Sequence, residues 1–241
     1  VGGGGGRVGD WAARAFTRAR VGDPYARRLP FRLPKEGREA GRPARPRPAH
    51  ALQTTVGGVF GLNYGWEHVQ WCADHPGAKD TNGFTRQNWF EPVGRECRML
   101  RNTAGIIDIS NFAKYRVCGG QAEAWLNAVF ANRMPKAVGR SCLTPLIGVR
   151  GGIAGDFTVT RLAEDEFMII GSGMAERYHQ RVWKMVPMPA GVSLDSLTEA
   201  LCGCNVAGAN SRAWPQRLKH PAPATEAARC IRPTPVSAAG V

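Results

Sequence analysis

The chain has 241 residues, a hydrophobic fraction of 43% and a formal net charge of +13. This composition is typical of a globular protein rather than a disordered one, and no apolar run approaches the roughly 18–20 residues that cross a bilayer. The positive charge lies at the ends, since residues 1–50 carry a net +8, residues 211–241 a net +4 and residues 51–210 only +1. The central part therefore lacks the charge that predicts binding to nucleic acid or to a membrane surface.

Residues 1–50 are predicted to be a poorly ordered, basic, low-complexity segment. Residues 1–9 are almost all glycine, and their formal match to a dinucleotide-binding motif fails because no strand precedes it. Residues 12–20 are rich in arginine and alanine and poor in acids, as mitochondrial transit peptides are. Proline and arginine alternate over residues 41–48, which indicates an extended, solvated connector.

The seven cysteines are widely spaced and include no CxxC pair. An odd number of separated cysteines indicates a reducing compartment and isolated thiols rather than a disulfide framework. Cys202 and Cys204 are too close for the usual zinc-binding pair, and alternate residues of a strand explain their spacing better. We therefore expect no metal site.

Ordered structure is predicted to begin near Ala51. Periodicity and turn residues predict, in order, strands and turns over 56–66, a helix over 92–101, a short strand or turn over 106–110, a strand over 113–117, a helix over 121–130, strands over 141–147, 156–162 and 167–170, a helix after residue 173, and a further helix or strand pair over 191–206. The helix after residue 173 is expected to place Met174, Tyr178 and Val182 on one stripe. The short, hairpin-like links predict an α+β fold with a mainly antiparallel sheet and packed helices.

A glycine-rich turn leads into a strand over residues 151–162, with Asp156 at the junction. Because side chains alternate along a strand, Asp156, Thr158 and Thr160 are predicted to share a polar face, while Phe157 and Val159 point to the other side. A carboxylate in this position is placed to act as a catalytic or ligand-binding acid. It also suits a turn aspartate that accepts backbone hydrogen bonds, and the local pattern alone favours this second role.

Eight motifs of the central part occur in the order known from one family. They are Gly65–Glu67, Glu96–Arg101, Ala104–Ser110, Phe112–Tyr115, Gly119–Gly120, Ala131–Pro135, Leu143–Pro145 and Gly151–Leu162. Together they resemble the aminomethyltransferase-type, tetrahydrofolate-binding region of the FAD-dependent dimethylglycine/sarcosine dehydrogenase family, whose fold also occurs in the glycine-cleavage T-protein. The resemblance extends over residues 28–212.

The resemblance implies a site as well as a fold. Asp156 matches the family's aspartate that hydrogen-bonds the folate near its reacting nitrogens and serves as acid and base. The positions that line the folate match Phe112, Leu143, Thr158, Thr160 and Ser172. Leu143 stands where the T-protein has a tyrosine, so this contact would be apolar here. Ordinary strand or core packing explains each of these five residues equally well.

The implied function is that of a partial tetrahydrofolate-binding domain that transfers a one-carbon unit during choline and glycine degradation. Its partners would be folate, a one-carbon unit from a methylated amine and a flavoprotein domain or chain, with FAD bound only in an N-terminal domain that this sequence lacks. The expected location is the mitochondrial matrix in a eukaryote and the cytoplasm otherwise, and neither nucleic acid nor a membrane is an expected partner. The alternative is a non-catalytic interaction or assembly module on the same fold.

Two departures from the family limit this function and leave enzyme activity open. The family's downstream Gly-Tyr-Thr-Gly-Glu motif, whose glutamate anchors the pterin, has no counterpart, and the resemblance stops after Arg212. We therefore expect a fragment in which residues 51–212 form the folate-binding domain, with weak tetrahydrofolate affinity. The Pro/Ala/Arg-rich residues 213–241 are expected to be disordered or, with most of residues 1–27, to derive from a shifted reading frame.

Overall fold

The computed structural model describes residues 12–34, 36–148 and 150–211, which form two compact units. Unit 1 contains the described residues up to Asn111 together with residues 202–211, and unit 2 is the continuous stretch Phe112–Leu201. The predictions for residues 1–11 and 213–241 lie outside the described ranges. Within those ranges, no helix has the length and apolar character of a membrane span.

Unit 1 combines helices with two small antiparallel sheets. Its described elements are α1 (Arg14–Ala26), α2 (His50–Thr55), β1 (Gly58–Asn63), β2 (Trp66–Cys72), α3 (Phe90–Asn102), β3 (Gly105–Asp108) and β9 (Cys204–Ala207). Strand β1 pairs with β2, and β3 pairs with β9. The β1–β2 turn contains Tyr64 and Gly65, whose φ angles of 49° and 88° are both left-handed, and a two-residue turn of this kind matches the twist of the strands it joins.

Helix α1 differs from the expectation that residues 1–50 are poorly ordered. None of its residues is fully buried. Its Asp23 pairs with Arg27 at 3.3 Å and with Arg38 at 3.8 Å. Such local ion pairs cannot be recognised from the low-complexity composition that motivated the prediction.

A buried cluster of charged and aromatic groups stabilises unit 1. The guanidinium carbons of Arg45 and Arg47 lie 3.7 Å and 5.4 Å from the ring centroid of Trp66. Arg47 also pairs with Asp108 at 3.3 Å. Burial acts to raise the pKa of Asp108, but hydrogen bonds from Ser110 and from Gln53, together with the charge of Arg47, outweigh burial and lower this pKa. Asp108 is therefore a structural carboxylate that connects β3 to Arg47 and to Gln53 of α2.

Unit 2 is built on a five-stranded antiparallel sheet. Its elements are β4 (Ala113–Cys118), α4 (Ala122–Val129), β5 (Ser141–Ile147), β6 (Ile153–Ala163), β7 (Glu166–Gly171), a 3₁₀ turn (Gly173–Ala175), α5 (Glu176–Trp183) and β8 (Ser193–Ser196). The strand order is β5-β6-β7-β4-β8, and every neighbouring pair is antiparallel. The prediction of an α+β fold with a mainly antiparallel sheet is confirmed.

One face of this sheet forms the hydrophobic core of unit 2. The core cluster contains the strand residues Ala113, Tyr115, Val117, Leu146, Phe157, Val159, Phe167 and Ile169. Helix α4 covers this face with a stripe of Ala122, Trp125, Leu126 and Val129, all of them buried. Arg161 closes one end, because its Nε donates to the carbonyl of Pro135 at 2.6 Å and its guanidinium pairs with Glu123.

Helix α5 packs against the core through a different stripe from the one predicted. Its buried residues are His179 and Trp183, whereas Met174 is 53% exposed and Tyr178 is 39% exposed. Val182 is partly buried against the core, as expected. The 3₁₀ turn before the helix has three residues per turn, and this shifts the helical register relative to a single continuous helix.

His179 is a fully buried polar ring in this core. Its side chain is fully buried, its Nδ1 lies 3.4 Å from the hydroxyl oxygen of Tyr115, and its ring centroid lies 4.5 Å from that of Phe157. Burial lowers the pKa of His179 to about 4. The imidazole is therefore neutral at physiological pH.

This burial predicts a pH-dependent stability. The unfolded chain takes up a proton on His179 near pH 6.5, whereas the folded protein keeps the ring neutral until about pH 4. Between these values the unfolded state binds one proton more than the folded state. As the pH is lowered from 6.5 to about 4, the free energy of unfolding should therefore fall by about 1.4 kcal/mol per pH unit because of His179 alone. Urea unfolding of the wild type and of His179→Phe measures the difference, because all other titrating groups are shared. Equal pH slopes for the two proteins would refute the assignment.

Candidate functional site

The predicted site residues of β6 lie on the sheet face opposite the hydrophobic core. In an antiparallel sheet, directly paired residues point to the same side. Asp156 pairs with Pro145, Thr158 pairs with Leu143 and Ile170, and Thr160 pairs with Ser141 and Met168. The intervening residues Phe157 and Val159 are 1% and 0% exposed and belong to the core, so the predicted alternation is confirmed. We call the opposite side, which carries Asp156, Thr158 and Leu143, the site face.

Ser172 and Phe112 lie next to Asp156 at one end of this sheet. Gly171, the last residue of β7, pairs with Phe157 on β6 and with the first residue of β4. One position farther out on the same three strands lie Asp156, Ser172 and Phe112. Neighbouring strands are about 5 Å apart, so these three backbones lie within about 10 Å of one another. The sheet register thus brings together residues that are up to 60 positions apart in the sequence.

The side chains at this end of the site face are accessible. Asp156 and Ser172 are exposed, Leu143 is 70% exposed and Phe112 is 42% exposed, while Thr158 is partly buried. Asp156 makes no side-chain hydrogen bond or ion pair with any residue that the structure describes. Its carboxylate is therefore available to a ligand.

Thr160 differs from the other five predicted residues. It is 3% exposed, and its hydroxyl lies 2.7 Å from that of Ser141 on the neighbouring strand. This hydrogen bond joins β5 to β6, and the burial separates the hydroxyl from solvent. Thr160 is consequently better placed to support the site face than to contact a ligand.

The position of Asp156 within its strand also differs from the sequence analysis. Strand β6 begins at Ile153, which pairs with Ile147, and Gly155 pairs with Leu146, so Asp156 is the fourth residue of the strand rather than its entry. The carboxylate accepts no backbone hydrogen bond from the described residues, contrary to the role of a turn aspartate. The sequence favoured that role because a glycine-rich stretch does not reveal how far a hairpin continues to pair.

Lys114 is a residue of the site face that the sequence analysis did not select. It pairs with Ile170, which in turn pairs with Thr158, so these three side chains lie in one row. Lys114 is only 6% exposed, and its Nζ donates to the carbonyl of Phe112 at 2.9 Å. Its alternation with Tyr115 in a predicted strand was the available signal, but the same pattern is typical of any solvated strand face.

The arrangement suits a flat, polar organic ligand better than a metal ion. The described residues include no group of three or more His, Cys, Asp or Glu side chains that could hold a metal. An exposed carboxylate lies beside hydroxyl groups, and two exposed apolar side chains flank them, a combination that also occurs in small-molecule sites.

Comparisons with known proteins agree with this architecture. The family model for the GCVT N-terminal domain matches residues 49–233. Mouse mitochondrial dimethylglycine dehydrogenase is 31% identical over 218 residues, covering 88% of this chain and 25% of that protein. The 4-methylaminobutanoate oxidase (formaldehyde-forming) of Paenarthrobacter nicotinovorans is 27% identical over 207 residues, covering 85% of this chain and 25% of that protein. The chain thus spans about a quarter of the length of these relatives.

One solved structure shows the same fold. The glycine cleavage system aminomethyltransferase T of Bartonella henselae superimposes with a TM-score of 0.59 at 21% identity. The superposition covers 72% of this chain and 43% of the aminomethyltransferase.

The contacts of Asp156 and Thr160 on β6 predict different effects of substitution on the free energy of unfolding. Asp156→Asn should change the free energy of unfolding by less than about 0.5 kcal/mol, because the carboxylate has no partner among the described residues. Thr160→Val should cost about 0.5–1.5 kcal/mol, because it removes the hydrogen bond between the buried Thr160 hydroxyl and Ser141. Urea unfolding of both variants at pH 7 tests this. A large loss of stability in Asp156→Asn would mean that the carboxylate is structural.

Proposed function

This chain belongs to the GCVT N-terminal domain family, and we propose that it binds a reduced folate on the site face and assists one-carbon transfer to it. The observation that carries the proposal is the exposed carboxylate of Asp156, which has no partner among the described residues and lies beside Ser172 and Phe112. The proposed binding domain comprises residues 51–212. Tetrahydrofolate would supply the nucleophilic nitrogens that accept the one-carbon unit.

Asp156 has the properties of an acid–base residue for this chemistry. As an accessible carboxylate, it accepts hydrogen bonds from N–H groups of a bound ring and orients them. It can take up the proton that a ring nitrogen loses when that nitrogen becomes bonded to carbon. Its negative charge also stabilises positive charge that develops on the nitrogen during the attack. Asp156 thus orients the reacting group, accepts its proton and stabilises its charge.

The other residues of the site face hold and orient the ring system. Leu143 and Phe112 present apolar surface against which an aromatic ring gains about 25 cal/mol per Å² of apolar area removed from water. The hydroxyls of Thr158 and Ser172 offer both donors and acceptors beside the carboxylate. Lys114 stands one row behind them with its ammonium group bonded to the Phe112 carbonyl, and this bond fixes the strand end that carries the phenyl ring.

The source of the one-carbon unit follows from the relatives by analogy. One relative is named as a dimethylglycine dehydrogenase, and another as a formaldehyde-forming oxidase of 4-methylaminobutanoate. Both names denote oxidation of a methylated amine, a reaction that releases carbon at the oxidation level of formaldehyde. We propose that a flavoprotein domain or chain performs this oxidation, within choline and glycine degradation, and that the unit then reaches the site face. The mitochondrial relatives support a mitochondrial matrix location.

Ligand binding with a matched pair of variants tests the proposal. Titration of the full chain with 5,6,7,8-tetrahydrofolate should show weak but saturable binding. Asp156→Ala should raise the Kd by about tenfold or more, because hydrogen bonds to a charged group contribute about 1.5–3 kcal/mol.

The control is Asp195→Ala, which removes an exposed carboxylate from β8 of the same sheet. Asp195 lies 3.8 Å from Arg116 and far from the end of the sheet that carries Ser172. This control should bind like the wild type. Absence of saturable binding in the wild type, or equal losses in both variants, would refute the proposal and favour the alternative of a non-catalytic interaction module.

A further inference from the structure

Two glycines without left-handed backbone lie directly beneath the proposed site. Gly155 precedes Asp156 on β6, and Gly171 precedes Ser172 on β7. Neither glycine has a positive φ angle, so backbone conformation does not require glycine at either position. The lack of space requires glycine, because a Cβ on either residue would lie 2.6 Å from a ring carbon of Phe157. The Phe157 ring therefore packs directly against the backbone of β6 and β7 at these two glycines.

His179 contacts the same two backbone positions from helix α5. Its Nε2 lies 3.4 Å from the Cβ position of Gly155, and its Cε1 lies 3.2 Å from that of Gly171. The ring is tilted against Phe157 at a centroid distance of 4.5 Å. The two rings together fill the space that side chains on the glycines would occupy. The residues that follow the glycines, Asp156 and Ser172, lie on the site face.

The environment of His179 keeps its ring uncharged. The titratable groups that face it are Tyr115 from β4 and, on its own helix, Tyr178. Burial raises the pKa of Tyr115, and burial alone lowers that of His179. Nδ1 is held by the Tyr115 hydroxyl, whereas Nε2 has no hydrogen-bond partner among the described residues and points toward the strand pair. The ring therefore acts on the strands through packing.

We propose that His179 is a positioning residue of the site: its ring, seated against Gly155 and Gly171, sets the placement of Asp156 and Ser172 on the opposite face. Removing the ring leaves a cavity under two strand ends that each carry one ligand-contacting residue. Because His179 contacts β6 and β7 at Gly155 and Gly171, the loss should be largest at the site end of these two strands. That Asp156 and Ser172 form a ligand site rests on the proposed function, but the effect of removing the His179 ring on the two strand ends can be measured without a ligand.

Hydrogen exchange in the absence of ligand provides the first test. In His179→Ala, backbone exchange over residues 155–157 and 171–173 should increase about tenfold or more, while residues 160–162 and 166–168, at the other end of the same strands, change little. His179→Phe, which keeps a ring, should retain wild-type exchange at both ends. A uniform increase along both strands, or no increase at the site end, would overturn the proposal, because a merely structural residue destabilises unit 2 as a whole.

Titration with 5,6,7,8-tetrahydrofolate provides the second test. His179→Ala should raise the Kd between about ten- and a hundredfold, since small displacements of a site group are costly, and His179→Phe should restore it to near the wild-type value. A wild type that binds no tetrahydrofolate contradicts the proposed function, and the exchange result then decides the role of His179 by itself. Wild-type affinity in His179→Ala contradicts the positioning role.

Discussion

The contact of the Phe157 ring with the backbone at Gly155 and Gly171 connects the two sides of the unit 2 sheet. On one side, the ring belongs to the core that α4 and α5 cover. On the other side, the residue that follows each glycine, Asp156 or Ser172, belongs to the site face. Protein interiors are packed as densely as organic crystals, so a ring that fills this space transmits its position to the backbone. The geometry of the site thus depends on core packing rather than on hydrogen bonds to Asp156.

This dependence explains why the Asp156 carboxylate needs no partner among the residues that the structure describes. A binding group that is held by its own hydrogen bonds must break them to receive a ligand, whereas one held through the backbone does not. Asp156 is exposed, and the strand around it is fixed by pairing with β5, by the Thr160–Ser141 hydrogen bond and by the rings beneath it. Preorganisation of this kind reduces the cost of ordering groups on binding. The site side chains need few contacts of their own, because packing in the core positions the strands that carry them.

The sequence allowed much of the sheet to be predicted and less of the site. Alternation along β6 correctly separated Asp156 and Thr158 from Phe157, because a period of two reports the faces of a strand directly. The burial of Thr160 depends on Ser141, nineteen residues away, and no local pattern shows which strand will pair with β6. His179 was missed because a polar ring does not mark a buried face, so the apolar residues Met174, Tyr178 and Val182 indicated a stripe other than the one that is buried. The pairing of distant strands and the rotation of a helix about its axis depend on tertiary contacts, so local sequence patterns do not reveal them.

The central claim is that a reduced folate binds the site face of unit 2. The structure of this chain crystallised with 5,6,7,8-tetrahydrofolate tests it most directly. The account predicts that the ring system lies on Leu143 and Phe112, with its nitrogens within hydrogen-bond distance of the Asp156 carboxylate. A folate bound on another surface, or a complex in which Asp156 faces only solvent, would contradict it.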